Sequence, residues 1–386
     1  MKIAYFVWDL WDAAAMRRAE MLRAGGAELA VAGFRRRDTA PPQLAGAPAL
    51  DLGRTYDGRL AQRTGLVALR CARAGALRDT VRGADVLLAR NLEMLAIAAA
   101  ARRAHAPDAR LVYECLDIHR LMCGAGPASA ALRALEAWLL RSCAAVVVSA
   151  PAFISEYFEQ RHRRLPRMLL VENKLLARTE RPAAAARAPG PPWRIGWFGN
   201  VRCRKSVELL KTIVARANGA IEVVIRGRPS AHTLPDLEQL IAGTPQIRFA
   251  GPYAQHELAR IYGEVHFAWS LDFTDEGSNS DWLLPNRIYE GSYFNTPSIA
   301  ERRTAVGAWL AEKETGILVD DPVDDIVRRL RALTPEEYRA LEQRTRDLDP
   351  RALAFDANAC RALVATLGAE PVARAVGRIA TFQKVI

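Results

Sequence analysis

A chain of 386 residues, half of them hydrophobic and a quarter charged, is too long for one ordinary core and too apolar for disorder, so two domains of roughly 150 to 200 residues are expected. The net charge of +11 lies entirely in the first half: residues 1–190 hold 29 Lys+Arg against 18 Asp+Glu, and residues 191–386 hold 25 of each. Clusters such as Arg35-Arg36-Arg37, Arg102-Arg103 and Arg161-His162-Arg163-Arg164 suit anionic lipid head groups at about 1 kcal/mol per near-surface charge, or reflect nothing more than an Arg- and Ala-rich composition; without interleaved aromatics they do not suggest nucleic acid.

Apolar runs of strand length then alternate with helical patterns, the mark of parallel sheets with crossover helices. The first half predicts strands at Lys2–Val7, Glu28–Gly33, Val86–Ala89, Arg110–Glu114, Ala145–Ser149 and Met168–Val171. Helices are expected near Ala14–Arg23, Leu60–Val81, Met94–Arg103, Ala128–Cys143 and Pro151–Gln160. Together these make a doubly wound, Rossmann-like domain over 1–175. Residues 176–192, Ala-rich and closing on Ala188-Pro189-Gly190-Pro191-Pro192, can continue neither element and read as a linker. The alternation restarts with strands at Arg194–Phe198, Ile221–Ile225, Ile247–Ala250, His266–Ser270 and Pro297–Ala300, giving a second doubly wound domain over 193–365. Helical patterns at Pro335–Arg346 and Ala352–Leu367 precede a tail, 366–386, expected to return to the first domain.

Six scattered cysteines (Cys71, Cys115, Cys123, Cys143, Cys203, Cys360) show no Cys-x-x-Cys or Cys/His ligand spacing, so neither a disulfide framework nor a zinc site is expected and a reducing cytoplasm fits. The opening residues pass from a short apolar run into Asp9 and Asp12, unlike a signal peptide. The longest apolar stretches fall short of the ~18 residues that a membrane span needs.

The chemistry concentrates in the second half. Leu284-Pro285-Asn286-Arg287-Ile288-Tyr289-Glu290-Gly291, followed by Asn295-Thr296-Pro297, reads as a proline-opened helix, a tight turn and a small strand. Such a helix aims unpaired N–H groups and a guanidinium at one point, as a diphosphate requires. Glu290, one turn after Asn286 and Arg287, can accept both hydroxyls of a ribose. A strand ending in Gly199-Asn200, with Arg202, Arg204 and Lys205 after it, lets phosphate approach the backbone beside cations. Arg226-Gly227 repeats that pattern, and Gly251-Pro252-Tyr253 offers a wall for a base.

These segments, with the Phe249-x-Gly251 strand end, resemble the donor domain of GT-B glycosyltransferases of the large retaining family 4 type. The short strands and Arg17-Arg18 of the first half are similar to bacterial exopolysaccharide enzymes of the succinoglycan-biosynthesis kind. The resemblance implies that Glu290 holds ribose and that Arg287, Asn286 and Lys205 hold the diphosphate of a nucleotide-sugar donor. Many relatives place a glutamate eight residues before the ribose glutamate; here Trp282 stands there, beside Asp281, which leaves sugar identity and retention open.

In the first half, Glu114, Asp117 and His119 follow a strand's carboxyl end, where an acid, a base or a sugar contact would sit; Asp117 as a helix cap is the plainer alternative. Asp9 and Asp12 after the first strand, and Asn91 after another, are acceptor-binding candidates, with Asp9 or Asp12 as N-cap the alternative. No cofactor and no metal is expected, since a cation and a helix N-terminus can stabilise the leaving diphosphate without one and no Asp-x-Asp motif is expected to hold one. The expected function is transfer of a sugar from a nucleoside-diphosphate donor to a glycan or lipid-linked acceptor in exopolysaccharide synthesis, in the cytoplasm or at the inner membrane face. A nucleotide-sugar epimerase on the same fold and a non-catalytic sugar-nucleotide-binding partner are the alternatives.

Overall fold

Strands buried along almost their whole length become the middles of two separate parallel sheets. The structure, a computed structural model, describes residues 1–56, 58–177, 181–182, 187–369 and 383–384. Two compact units result: Met1–Glu172 together with Phe355–Ile386, and Asn173–Ala354.

The sheet of the first unit runs, among the described residues, in the order Gln383–Lys384, Arg167–Leu170, Cys143–Val148, Arg110–Cys115, Val86–Arg90, Lys2–Val7, Glu28–Arg35, Ala47–Arg54 and Gln43–Leu44. All neighbours pair in parallel except the last two strands. The chain enters at the centre, builds outward to one side, and returns to build the other, so strand order reverses between Lys2–Val7 and Val86–Arg90. Lys2–Val7 has only its first residue partly exposed and Val86–Arg90 is buried throughout, which is why both read as unbroken apolar runs rather than alternating ones.

The second sheet runs Ile247–Phe249, Ile221–Pro229, Trp193–Val201, Phe267–Trp269, Ser298–Glu301 and Gly316–Val319, all parallel. Its order reverses between Trp193–Val201 and Phe267–Trp269. One face packs Trp193, Trp197 and Trp269 among aliphatic side chains, and the other packs Phe198 and Val224 against Leu258, Ile261 and Tyr262. Doubly wound sheets bind ligands beyond the carboxyl ends of the strands at such reversals.

Several boundaries differ from the sequence expectation. The single helix expected over 60–81 is broken: Leu60–Ala72 ends, a 3₁₀ turn spans Ala74–Leu77, and a short helix spans Arg78–Val81. Residues 153–158 take a π-helical turn. Ala47–Arg54 and Gly316–Val319 are strands that sequence reading passed over. The return to the first unit comes at Phe355, about ten residues before the expected tail. The helix Ala357–Gly368 packs on Gly25 so closely that a β-carbon there would lie 2.3 Å from the Cys360 carbonyl oxygen. Of the tail call, residues 370–382 and 385–386 lie outside the described residues, and Gln383–Lys384 pairs with Arg167–Leu170.

The expected linker belongs to the second unit. Arg187, its side chain 3% exposed, forms an ion pair with Glu342 at 2.6 Å and donates to the Thr296 hydroxyl at 2.9 Å and the Asn295 carbonyl at 2.7 Å. Arg181 donates to the carbonyls of Ser292 at 2.6 Å, Tyr293 at 2.9 Å and Thr345 at 2.9 Å. Ser292 and Tyr293 close the helix Asn286–Tyr293. A cation therefore satisfies the orphan carbonyls at the end where the helix dipole is negative.

Candidate functional site

Two glycines open the reversal point of the second sheet. Gly199 and Gly227 face each other in register with φ of +114° and +138°. A β-carbon on Gly227 would stand 1.8 Å from the Gly199 carbonyl oxygen. The close approach is open to glycine only; Asn200, the next residue of the strand, is exposed and pairs in register with Arg228.

Across the reversal, Arg202 pairs with Asp272 at 3.2 Å. Burial would raise the Asp272 carboxyl, but Arg202 and Arg287 outweigh it and hold the group below its usual range. Arg287, on the first turn of Asn286–Tyr293, donates to the Trp269 carbonyl at 3.2 Å. Two guanidiniums thus converge on one carboxylate at the place where this fold class takes its ligand. Pro285 precedes the helix in extended geometry, with φ −72° and ψ 154°, and Asn286 is its first residue. Glu290 is only 6% exposed and accepts from the Tyr262 hydroxyl at 3.4 Å.

The remaining donor-side candidates are placed around this centre. Lys205 pairs with Glu276 at 2.8 Å and its ammonium lies 4.4 Å from the Phe273 ring centre. Arg204 pairs with Asp236 at 2.6 Å. Both pairs are exposed, hence weak and open to exchange for a stronger anion. Arg226 is buried and turns to the Pro252 carbonyl at 3.2 Å and Glu257 at 3.4 Å, with Tyr253 at 6.0 Å from its guanidinium. With these partners it braces the Pro252-Tyr253 turn, the wall that was expected to face a base. Asp281, expected to meet the sugar, binds Arg303 and accepts from the Gly277 amide at 3.1 Å; it organises the loop before the pocket helix. Asp272, Glu276, Arg303 and Tyr262 are the site's members that sequence reading missed. Asp272 and Arg303 had a signal, their places just past the carboxyl ends of strands.

The sequence does hold one Asp-x-Asp triplet, Asp347-Leu348-Asp349. Asp349 caps the helix Pro350–Leu353 through the Arg351 amide at 2.9 Å, and Asp347 accepts from Gln343 at 2.7 Å. Among the described residues no group of three His, Cys, Asp or Glu side chains is placed to hold a metal ion.

In the first unit an arginine again spans the reversal. Arg90 meets Asp12 at 3.0 Å and Glu114 at 2.8 Å. Glu114, fully buried, also receives Arg18 at 2.7 Å and the Tyr5 hydroxyl at 2.8 Å. Burial would raise its carboxyl, yet Arg90 and Arg18 pull it down to about 2. Glu114 was expected to face a substrate as acid or base; with no exposure and three donors it is instead the ion-paired anchor of this sheet. Its neighbour Tyr113 points to the other face, where Glu136 accepts from Tyr113 at 3.2 Å and Tyr157 at 2.6 Å and bonds His162 Nε2 at 2.8 Å. Asp12 caps the helix Ala13–Ala24 through the amides of Ala14 and Ala15, which answers the acceptor-or-cap alternative in favour of the cap. Asp9, 8% exposed, accepts from the Trp11 amide at 3.1 Å, and burial foremost raises its carboxyl. Asn91 sits at φ +71° between strand and helix. Asp117 and His119 are both exposed. His119, not Asp117, caps the short helix Arg120–Cys123, its Nδ1 accepting from the Leu121 amide at 3.3 Å.

No protein-family model matches the chain. Over 376 residues it is 41% identical to the succinoglycan biosynthesis protein ExoL of Rhizobium meliloti, covering 95% of this chain and 93% of the relative. The chain belongs to the ExoL family. By structure, this ExoL-family chain is similar to sucrose-phosphate synthase of Thermosynechococcus elongatus, with a TM-score of 0.71, 15% identity and coverage of 95% and 98%. It is also similar to Anabaena HepE solved with UDP, with a TM-score of 0.66, 13% identity and coverage of 95% and 99%. A putative UDP-N-acetylglucosamine 2-epimerase of Listeria monocytogenes follows at a TM-score of 0.59, 12% identity and coverage of 95% and 96%. The ExoL-family fold is therefore GT-B, as its motifs led one to expect.

Proposed function

We propose that this chain is a glycosyltransferase of exopolysaccharide synthesis, moving a sugar from a nucleoside-diphosphate donor to a glycan intermediate carried on a lipid. The observation that carries the reading is the convergence of Arg202 and Arg287 at the sheet reversal, one helical turn from buried Glu290. Arg287, Arg202, Lys205 and the amino end of Asn286–Tyr293 take up charge as the anomeric bond to the diphosphate breaks. Asn286 and Gly199-Asn200 line the approach of the phosphates, and Glu290 holds the ribose. Because these cations supply the electrostatic stabilisation that a metal often provides, the transfer is proposed as metal-independent. It is also proposed as retaining, the acceptor attacking on the face the diphosphate leaves, with Asp117 and His119 contacting sugar or acceptor, and Asp9 and Asn91 proposed to meet acceptor hydroxyls. The reaction is assigned to the cytoplasmic face of the membrane.

The HepE complexes with UDP and UDP-glucose make uridine nucleotides the first donors to try. Among UDP, GDP and ADP, one nucleotide is expected to raise the melting temperature with its concentration, since only the folded chain binds it. Its sugar donor should then release nucleotide only when membrane extract supplies an acceptor. Isomerised donor without acceptor would replace transfer with epimerisation, and binding without turnover would leave a non-catalytic partner.

A further inference from the structure

An ordinary surface helix turns charge to water and apolar side chains inward. The helix Leu60–Ala72 does the reverse. Its two arginines point in: Arg63 pairs with Glu93 at 3.0 Å, and Arg70 donates to the Leu52 carbonyl at 2.7 Å. Leu66, Val67 and Cys71 share that inner side and are partly covered, and none of the helix's residues is buried. The outer side carries Leu60, Ala61, Gln62, Thr64, Gly65, Ala68, Leu69 and Ala72, with no charge at all. Leu60 is 44% and Leu69 40% exposed.

Cations stand at both ends of this uncharged face. Arg59 and Arg73, both exposed, flank its two ends. Arg54 and Arg59 lie 4.7 and 5.0 Å from the Tyr56 ring centre, just before the helix begins. From 54 to 82 the chain carries seven arginines against two aspartates, Asp57 and Asp79. An uncharged face of about 20 Å, from 13 residues at roughly 1.5 Å each, carrying leucine and alanine with Gln62 and Thr64 and ending at an arginine on each side, has the chemistry of a helix lying in the interface of an anionic bilayer. A two-fold contact with a second copy fits less well, because it sets Arg59 or Arg73 of one copy against an arginine of the other.

We propose that the outer face of Leu60–Ala72 seats this chain on an anionic lipid surface, Leu60 and Leu69 entering the acyl boundary while Arg59 and Arg73 meet head-group phosphates. The inference names a surface that the proposed transferase activity does not require, and it stands or falls separately from the donor pocket.

The experiment is co-sedimentation of the full chain with vesicles of phosphatidylcholine alone and with added phosphatidylglycerol. Binding is expected only to the anionic vesicles, weakening with salt. Leu60→Glu with Leu69→Glu should lower the partition coefficient by more than about tenfold, since both leucines then carry charge into the apolar boundary. Arg59→Gln and Arg73→Gln should each lower it about fivefold at low salt. Nucleotide affinity should be unchanged in all of them, which certifies the fold and separates this result from failure of the donor site. The proposal is overturned if wild type ignores anionic vesicles or if the double variant binds them as wild type does. It is equally overturned if sedimentation velocity shows a dimer that the double variant dissolves while no lipid is bound.

Discussion

Arg287→Ala is expected to weaken nucleoside-diphosphate binding at least tenfold, as measured by calorimetry, without lowering the melting temperature by more than a degree or two. A hydrogen bond to a charged group contributes about 1.5–3 kcal/mol, and about 1.4 kcal/mol is a factor of ten in affinity. The fold should tolerate the change, because the bond of Arg287 to the Trp269 carbonyl is only partly buried, and Asp272 keeps its ion pair with Arg202 when Arg287 is gone. Glu290→Gln tests the other half of the pocket. Wild type should prefer the ribonucleotide to its 2′-deoxy counterpart, and the variant should lose most of that preference, because an amide accepts one ribose hydroxyl less strongly than a carboxylate. Equal affinities in wild type and both variants would remove Asn286–Tyr293 from the binding site altogether.

Glu114→Gln should act on stability instead of binding. Removing the carboxylate leaves Arg18 and Arg90 buried without their counter-charge, and breaking a buried pair costs about 3–5 kcal/mol, roughly 10 °C in melting temperature for a unit of this size. The pH dependence has a definite sign. A carboxyl held at about 2 in the folded chain, against ~4.3 when unfolded, adds stability above the unfolded value and loses it as pH falls through the folded one. Wild type should therefore lose stability between about pH 4.3 and 2, and the variant should show a flatter slope there. A drop in turnover with an unchanged melting curve would restore Glu114 to the reaction.

Much of the fold was legible because buried parallel strands leave long apolar runs, and all but two of the longer strands were read within a few residues. Ala47–Arg54 escaped because its pattern is mixed, with Pro48, Asp51 and Gly53 breaking the run and half-exposed positions throughout. The break at 73–74 escaped because helical periodicity says nothing of where a chain must turn to reach its next strand. In the pocket, the helix bearing Asn286, Arg287 and Glu290 was readable from proline and residue type, since helix termini have local rules. Tyr262 was not, nor was the meeting of Asp272 with Arg202 and Arg287, because both come from strand order, which brings residues far apart in sequence to one reversal. Glu114 misled for a related reason: its position past a strand suggested access, and only the arrival of Arg18, Arg90 and Tyr5 from three other elements shows the carboxylate closed in.

The arginines ahead of the second sheet bear on where that unit begins. Composition marks 193 as the start, after a proline-rich stretch that looks dispensable. Hydrogen bonding places it earlier, since Arg181 and Arg187 close the carboxyl end of the helix whose amino end is proposed to face the nucleotide. A fragment cut at 193 would keep every donor-side residue named above and still lack the counter-charge of Glu342 and the partners of Ser292 and Tyr293. It should unfold at lower denaturant than a fragment begun at 173 and hold nucleotide less firmly. What joins the halves of this chain in sequence is thus also a fastener for one of them, so that trimming the connection would be felt first in the pocket.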